Sequence, residues 1–93
     1  MAASFRVLST PSFERDFRKI AKGNPILESA LHDLAAILGQ DPYNRGARHP
    51  IKKLKDMPSD GQWRIRWREY RLRYDIYGSD VVLHSFRHRK EAY

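Results

Sequence analysis

An α+β fold, with two helices laid on an antiparallel sheet, is what this 93-residue sequence predicts, and three observations carry the expectation. Residues 11–39 repeat apolar side chains at intervals of three and four, the period of a helix with one buried stripe. Residues 62–87 alternate apolar and charged side chains, the period of two of a half-buried strand. Helical periods come first and strand periods follow, an order that gathers helices on one face of a sheet. A chain of this length has material for one core and not two, so residues 1–93 are expected to form a single domain.

Phe5-Arg6-Val7-Leu8-Ser9 predicts a short N-terminal strand. Thr10-Pro11 then supplies an N-cap and a proline at the first helical position, a helix start. Phe13, Phe17 and Ile20 share one face of that helix, Glu14, Arg15, Arg18, Lys19 and Lys22 cover the other, and Gly23 stops it. Asn24-Pro25 repeats the start signal. Ile26, Leu27, Ala30, Leu31, Leu34, Ile37 and Leu38 make the apolar side of a second helix, which Gly39 is expected to end, completing a helical hairpin. Residues 40–50, with Pro42, Asn44, Gly46 and Pro50, read as a polar connection. Ile51 to Met57 adds a short extended piece, and Pro58-Ser59-Asp60-Gly61 a turn. Strands near 62–68, 70–76 and 81–87 complete a three- to four-stranded antiparallel sheet.

The register of those strands can be worked out from the chain. With Arg68-Glu69 as a two-residue loop, Arg66 comes opposite Arg71 and Arg64 opposite Arg73, while Trp67 meets Tyr70 on the other face. With Gly78-Ser79-Asp80 as a three-residue loop, Arg71 comes opposite Arg87 and Tyr74 opposite His84. One face of the sheet then gathers guanidinium groups, and Trp63, Trp67, Tyr70 and Tyr74 turn toward the helices. Like charges facing one another across strands cost roughly 0.2–1 kcal/mol per pair, so such a face calls for an anionic visitor or for neutralisation by Glu69, Asp75 and Glu91.

A net charge of +7 and a pI near 10.1 point to a polyanionic partner, nucleic acid or an acidic protein. The chain has no cysteine, which excludes disulfide frameworks, zinc-thiolate sites and thiol nucleophiles. His32, His49, His84 and His88 show no metal-ligand spacing, and neither metal nor cofactor is expected. His84 alternates with Val82 and Phe86 and is expected on the packed face, with His32 and His49 at the surface. No apolar run approaches the ~20 residues of a membrane span, and the N-terminus lacks the apolar stretch of a signal peptide, so a soluble cytoplasmic protein is expected.

The sequence resembles the RelE/ParE toxin family of type II toxin-antitoxin modules, and closer to its RelE branch. The likeness runs through the Phe13-Glu14-Arg15-Asp16-Phe17-Arg18-Lys19-Ile20 helix, Lys53-Leu54-Lys55, Gly61-Gln62-Trp63-Arg64-Ile65-Arg66, Tyr70-Arg71-Leu72-Arg73-Tyr74-Asp75-Ile76 and Arg87-His88-Arg89-Lys90-Glu91-Ala92-Tyr93. It implies a small basic toxin held inactive by an acidic antitoxin. In the RelE branch such a toxin cuts mRNA in the ribosomal A site without a metal. The ribose 2′-hydroxyl attacks the adjacent phosphate, leaving a 2′,3′-cyclic phosphate and a 5′-hydroxyl. The ParE branch instead poisons DNA gyrase and hydrolyses no RNA. A third alternative is a catalytically weakened relative that only binds RNA or its antitoxin.

Matched position by position, the resemblance implies catalytic roles for Arg64, Arg66, Arg71, Arg87 and Tyr93, with Tyr93 stacking on a splayed base. Positions 64 and 66 resemble family lysines but are arginines here, and arginine is a poor general base. His88, the histidine within the C-terminal motif, is then the expected proton acceptor, or else a solvated residue on the tail. Lys52, Lys53 and Lys55, with Arg68, Arg73 and Arg89, are expected either to grip RNA backbone on the ribosome or to serve as solvated charge.

Overall fold

A computed structural model describes residues 4–55 and 61–90 of the chain. The elements are β1 (Arg6–Ser9), α1 (Pro11–Ala21), α2 (Pro25–Gln40), β2 (Ile51–Lys53), β3 (Trp63–Trp67), β4 (Tyr70–Tyr77) and β5 (Asp80–His88). The strands form one sheet in the order β1-β5-β4-β3-β2. The expected α+β class holds. The sheet is mixed rather than wholly antiparallel, because the helical hairpin carries the chain from β1 at one edge toward β2 at the other, and the antiparallel run β2 to β5 returns to lie parallel beside β1.

Both helices begin as the sequence proposes. Thr10 Oγ1 accepts the Phe13 N–H at 3.0 Å, closing the N-terminus of α1. At α2 Asn24 makes no side-chain cap, and Pro25 alone presets the first turn. Gly23, at φ +73°, follows α1 as a stop residue. Gly39 does not end α2, which continues to Gln40. Its carbonyl accepts the Phe5 N–H at 2.8 Å, and a Cβ there would meet Phe5 O at 3.6 Å, an ordinary contact, so the helix runs through this position without needing glycine.

The core lies between the helices and one face of the sheet. Phe13, Leu27, Leu34 and Leu38 from the helices pack with Ile65, Leu72, Tyr74, Val81, Leu83 and Phe86 from the strands. Trp63, Trp67 and Tyr70 lie partly buried against the same cluster, as the alternation predicts. Truncating a fully buried residue such as Leu72 would cost about 2–5 kcal/mol. The loop between α2 and β2 is tied down by Asp41, whose carboxylate accepts the N–H groups of Arg45 and Gly46, both at 2.9 Å. Those two bonds hold its pKa below the ordinary carboxylate value. Tyr74 reaches from the core to donate its hydroxyl to Pro42 O at 2.7 Å, and burial pushes that phenol well above its usual range. No helix among the described residues is long and apolar enough to cross a membrane.

Candidate functional site

The face of the sheet turned away from the helices is built by the alternation of β3, β4 and β5. The Arg68-Glu69 turn closes in two residues, with Arg68 at φ 53°, and gives the register expected of it: Arg66 opposite Arg71, Arg64 opposite Arg73, Trp67 opposite Tyr70. The left-handed conformation at Arg68 is strained for a residue with a Cβ. Its guanidinium rests on the Trp67 ring, 4.7 Å from the centroid.

The second hairpin corrects the expected register. Gly78-Ser79 is a two-residue turn, so Tyr77 pairs with Asp80 and Tyr74 with Leu83, not with His84. Beyond that point the pairing shifts by one, with Arg73 opposite Ser85 and Arg71 opposite Arg87. His84 is the extra residue of a β-bulge. The expected partner of Arg71 is therefore right, but a bulge supplies the residue that was assigned to the loop.

That bulge reverses which side chains face the helices. Before it Val81 and Leu83 are buried, and after it Phe86 is. Arg87 consequently joins the outer face, while His88 falls on the helix side, its ring edge-on to Tyr70 at 5.5 Å. His88 Nδ1 accepts the Lys90 N–H at 3.3 Å. The histidine expected as proton acceptor thus stands across the sheet from the arginines. His84, expected to be packed inward, faces outward instead.

Two rows of cations result. One is Arg66, Arg71 and Arg87, directly opposite one another on three strands. The other is Lys52, Arg64 and Arg73. Among the described residues no carboxylate pairs with Arg66, Arg71 or Arg87. The neutralisers expected from the sequence act elsewhere: Glu69 binds Arg89 at 2.6 Å, and Asp75 binds His84 at 3.1 Å. Arg71 is held by its own turn, its Nη1 donating to Arg68 O at 3.2 Å and Tyr70 O at 3.0 Å. Arg66 and Arg87 are exposed.

Arg73 differs in kind. Its Nε and Nη2 both donate to Gly61 O, at 3.2 and 2.8 Å, which clamps the start of β3 onto β4. Gly61 sits at φ +96°, and a Cβ there would fall 2.8 Å from Tyr74 N, so only glycine fits. Lys53 lies on the helix side, its ammonium 5.7 Å from the Trp63 ring centroid, and Lys55 is exposed beyond the end of β2. Tyr93 and Glu91 lie outside the described residues, as do Pro58, Ser59 and Asp60 of the expected turn.

Comparison with known proteins fits this geometry. Residues 7–93 match the family model described as ParE toxin of type II toxin-antitoxin system, parDE. Among solved structures the chain is similar to one in the crystal structure of the toxin-antitoxin complex RelBE2 from Mycobacterium tuberculosis. The TM-score is 0.73 at 25% identity, covering 92% of this chain and 99% of that one. No curated protein matches. With its family model spanning nearly the whole sequence and its fold shared with that complex, the chain belongs to the RelE/ParE family of toxins from type II toxin-antitoxin modules.

Proposed function

We propose that this toxin is a ribosome-dependent endoribonuclease of the RelE type, which cuts mRNA in the A site and is silenced by a cognate acidic antitoxin. The observation that carries the proposal is the row Arg66, Arg71 and Arg87 on an uncovered sheet face with no carboxylate paired to it among the described residues. Three guanidiniums on one row suit a phosphate passing through a pentacoordinate state, where fixed cations act on charge as it develops. Arg64 and Lys52 extend the positive surface toward the flanking RNA backbone. Tyr93 is proposed to stack on a base next to the cut. The antitoxin is supported by the family itself and by the toxin-antitoxin complex that the fold resembles.

Toeprinting on programmed ribosomes tests this directly. Cuts within A-site codons are expected, with free RNA cleaved far less. In single-turnover cleavage at saturating ribosome, Arg71→Ala and Arg87→Ala are each expected to slow the chemical step at least tenfold, about 1.4 kcal/mol. Wild-type rates in both would exclude the convergent row.

The second reading is a ParE-type gyrase inhibitor, and the description of the matching family model favours it. It predicts intact mRNA together with stabilised gyrase-DNA cleavage complexes.

A further inference from the structure

Asp75 is the acidic residue of β4 and stands on the outer face, two positions from Arg73. Its carboxylate is a hub. Oδ1 accepts the Gln62 N–H at 2.8 Å, and Oδ2 accepts the Tyr77 hydroxyl at 3.3 Å. His84 Nε2 is buried and lies 3.1 Å from the same Oδ2, off the line of an ideal hydrogen bond. The two side chains are only 22% and 17% exposed. A half-buried imidazole held against a carboxylate is the pairing that fixes one ring nitrogen and leaves the other to take a proton.

The bulge gives this pair its place. His84 sits beside Ser85, the partner of Arg73, so its backbone lies level with the row of Arg64 and Arg73, next to the row of Arg66, Arg71 and Arg87, and its imidazole leans to Asp75. Adjacent rows on one face are two residues apart along a strand, about 6.6 Å. That span suits one nucleotide, with its phosphate on the arginines and its ribose beside the imidazole. Bulges commonly re-aim a side chain beside an active site, and this one turns both His84 and Arg87 outward.

Building on the nuclease reading above, we propose that His84, oriented by Asp75, is the proton acceptor of the cleavage reaction. The 2′-O–H bond breaks as the oxygen attacks phosphorus, and its proton passes to Nδ1 of His84 while Nε2 faces Asp75. The P–O5′ bond then breaks and the leaving oxygen takes a proton from water, giving the cyclic phosphate and the 5′-hydroxyl. The charged and titratable groups around the imidazole are Asp75, Arg73 and Tyr77 on β4, Arg64 on β3 and Arg87 on its own strand. From β1 the outward residues are Leu8, which is uncharged, and Arg6, already ion-paired with Asp80 at 3.0 Å.

The experiment measures single-turnover cleavage on programmed ribosomes between pH 5.5 and 8, a range that brackets the ordinary histidine value of about 6.5. Wild type is expected to rise with pH and then level. His84→Gln keeps an amide N–H for Asp75 and removes the basic nitrogen, so it should lose at least 100-fold and the inflection with it. Asp75→Asn, which keeps an acceptor for Gln62, should lose less, and His88→Ala should behave as wild type. A His84→Gln variant that cuts at the wild-type rate, or that keeps the inflection, overturns the assignment and leaves the nuclease standing. A wild-type protein that cuts no ribosomal mRNA overturns both.

Discussion

Single atoms decide whether this sheet face is correctly set. Tyr74 is fully buried and spends its hydroxyl on Pro42 O, so one phenol oxygen joins the middle strand to the loop after α2. Tyr74→Phe removes the donor and leaves the carbonyl short of a partner, an expected loss of about 1–3 kcal/mol read from urea unfolding. An unchanged midpoint would show that water replaces the bond at no cost. The sequence places Tyr74 in the core by its alternation but gives no hint of Pro42, 32 residues earlier. Arg73 teaches the same lesson. Pattern counts it with the other arginines, whereas its bidentate grip on Gly61 O makes it a clamp first.

At the scale of elements, what could be read depended on whether the signal was local. Helix starts were legible because Thr10-Pro11 and Asn24-Pro25 act within one turn of chain. The Arg68-Glu69 register was legible because a tight turn dictates everything after it. Gly39 misled because glycine reads as a stop signal, whereas α2 runs one residue past it and its carbonyl takes the Phe5 N–H from the chain entering β1. The bulge at His84 was invisible for a related reason. No residue type marks it, and the alternation Val82, His84, Phe86 looks continuous across it. Deleting His84 is expected to remove the imidazole and leave the rest of the sheet in place. With the extra residue gone, Ser85 follows Leu83 and still faces outward opposite Arg73, so Phe86 stays inward, Arg87 stays outward and β4 and β5 pair without a bulge. A cooperative thermal transition in the deletion variant, as in His84→Gln, is the expected outcome by circular dichroism. Loss of that transition in the deletion variant alone would mean that the twist the bulge gives β5 is needed for folding.

For the whole molecule, the net charge of +7 is distributed with a purpose that stability alone does not explain. Acidic side chains are engaged in pairs, Asp80 with Arg6, Asp75 with His84 and Glu69 with Arg89, while among the described residues the row Arg66, Arg71 and Arg87 has no acidic partner. Directly opposed like charges weaken a sheet by roughly 0.2–1 kcal/mol per pair. If the row is kept for an anionic partner, relieving it should stabilise the fold and harm the function. Arg66 and Arg87 are the positions to test, since Arg71 also bonds its own turn. Arg66→Gln and Arg87→Gln are each expected to raise the melting temperature at low salt by up to about 5 °C, the shift that a gain of under 1 kcal/mol gives a domain of this size. The gain should shrink in 1 M salt, where the Debye length falls to about 3 Å and the wild-type repulsion is already screened. Cleavage should fall at least tenfold in the same variants. A lower melting temperature for both would show that these guanidiniums contribute to folding after all, through packing of their apolar stems, and that the row is part of the scaffold rather than a binding surface held at a cost.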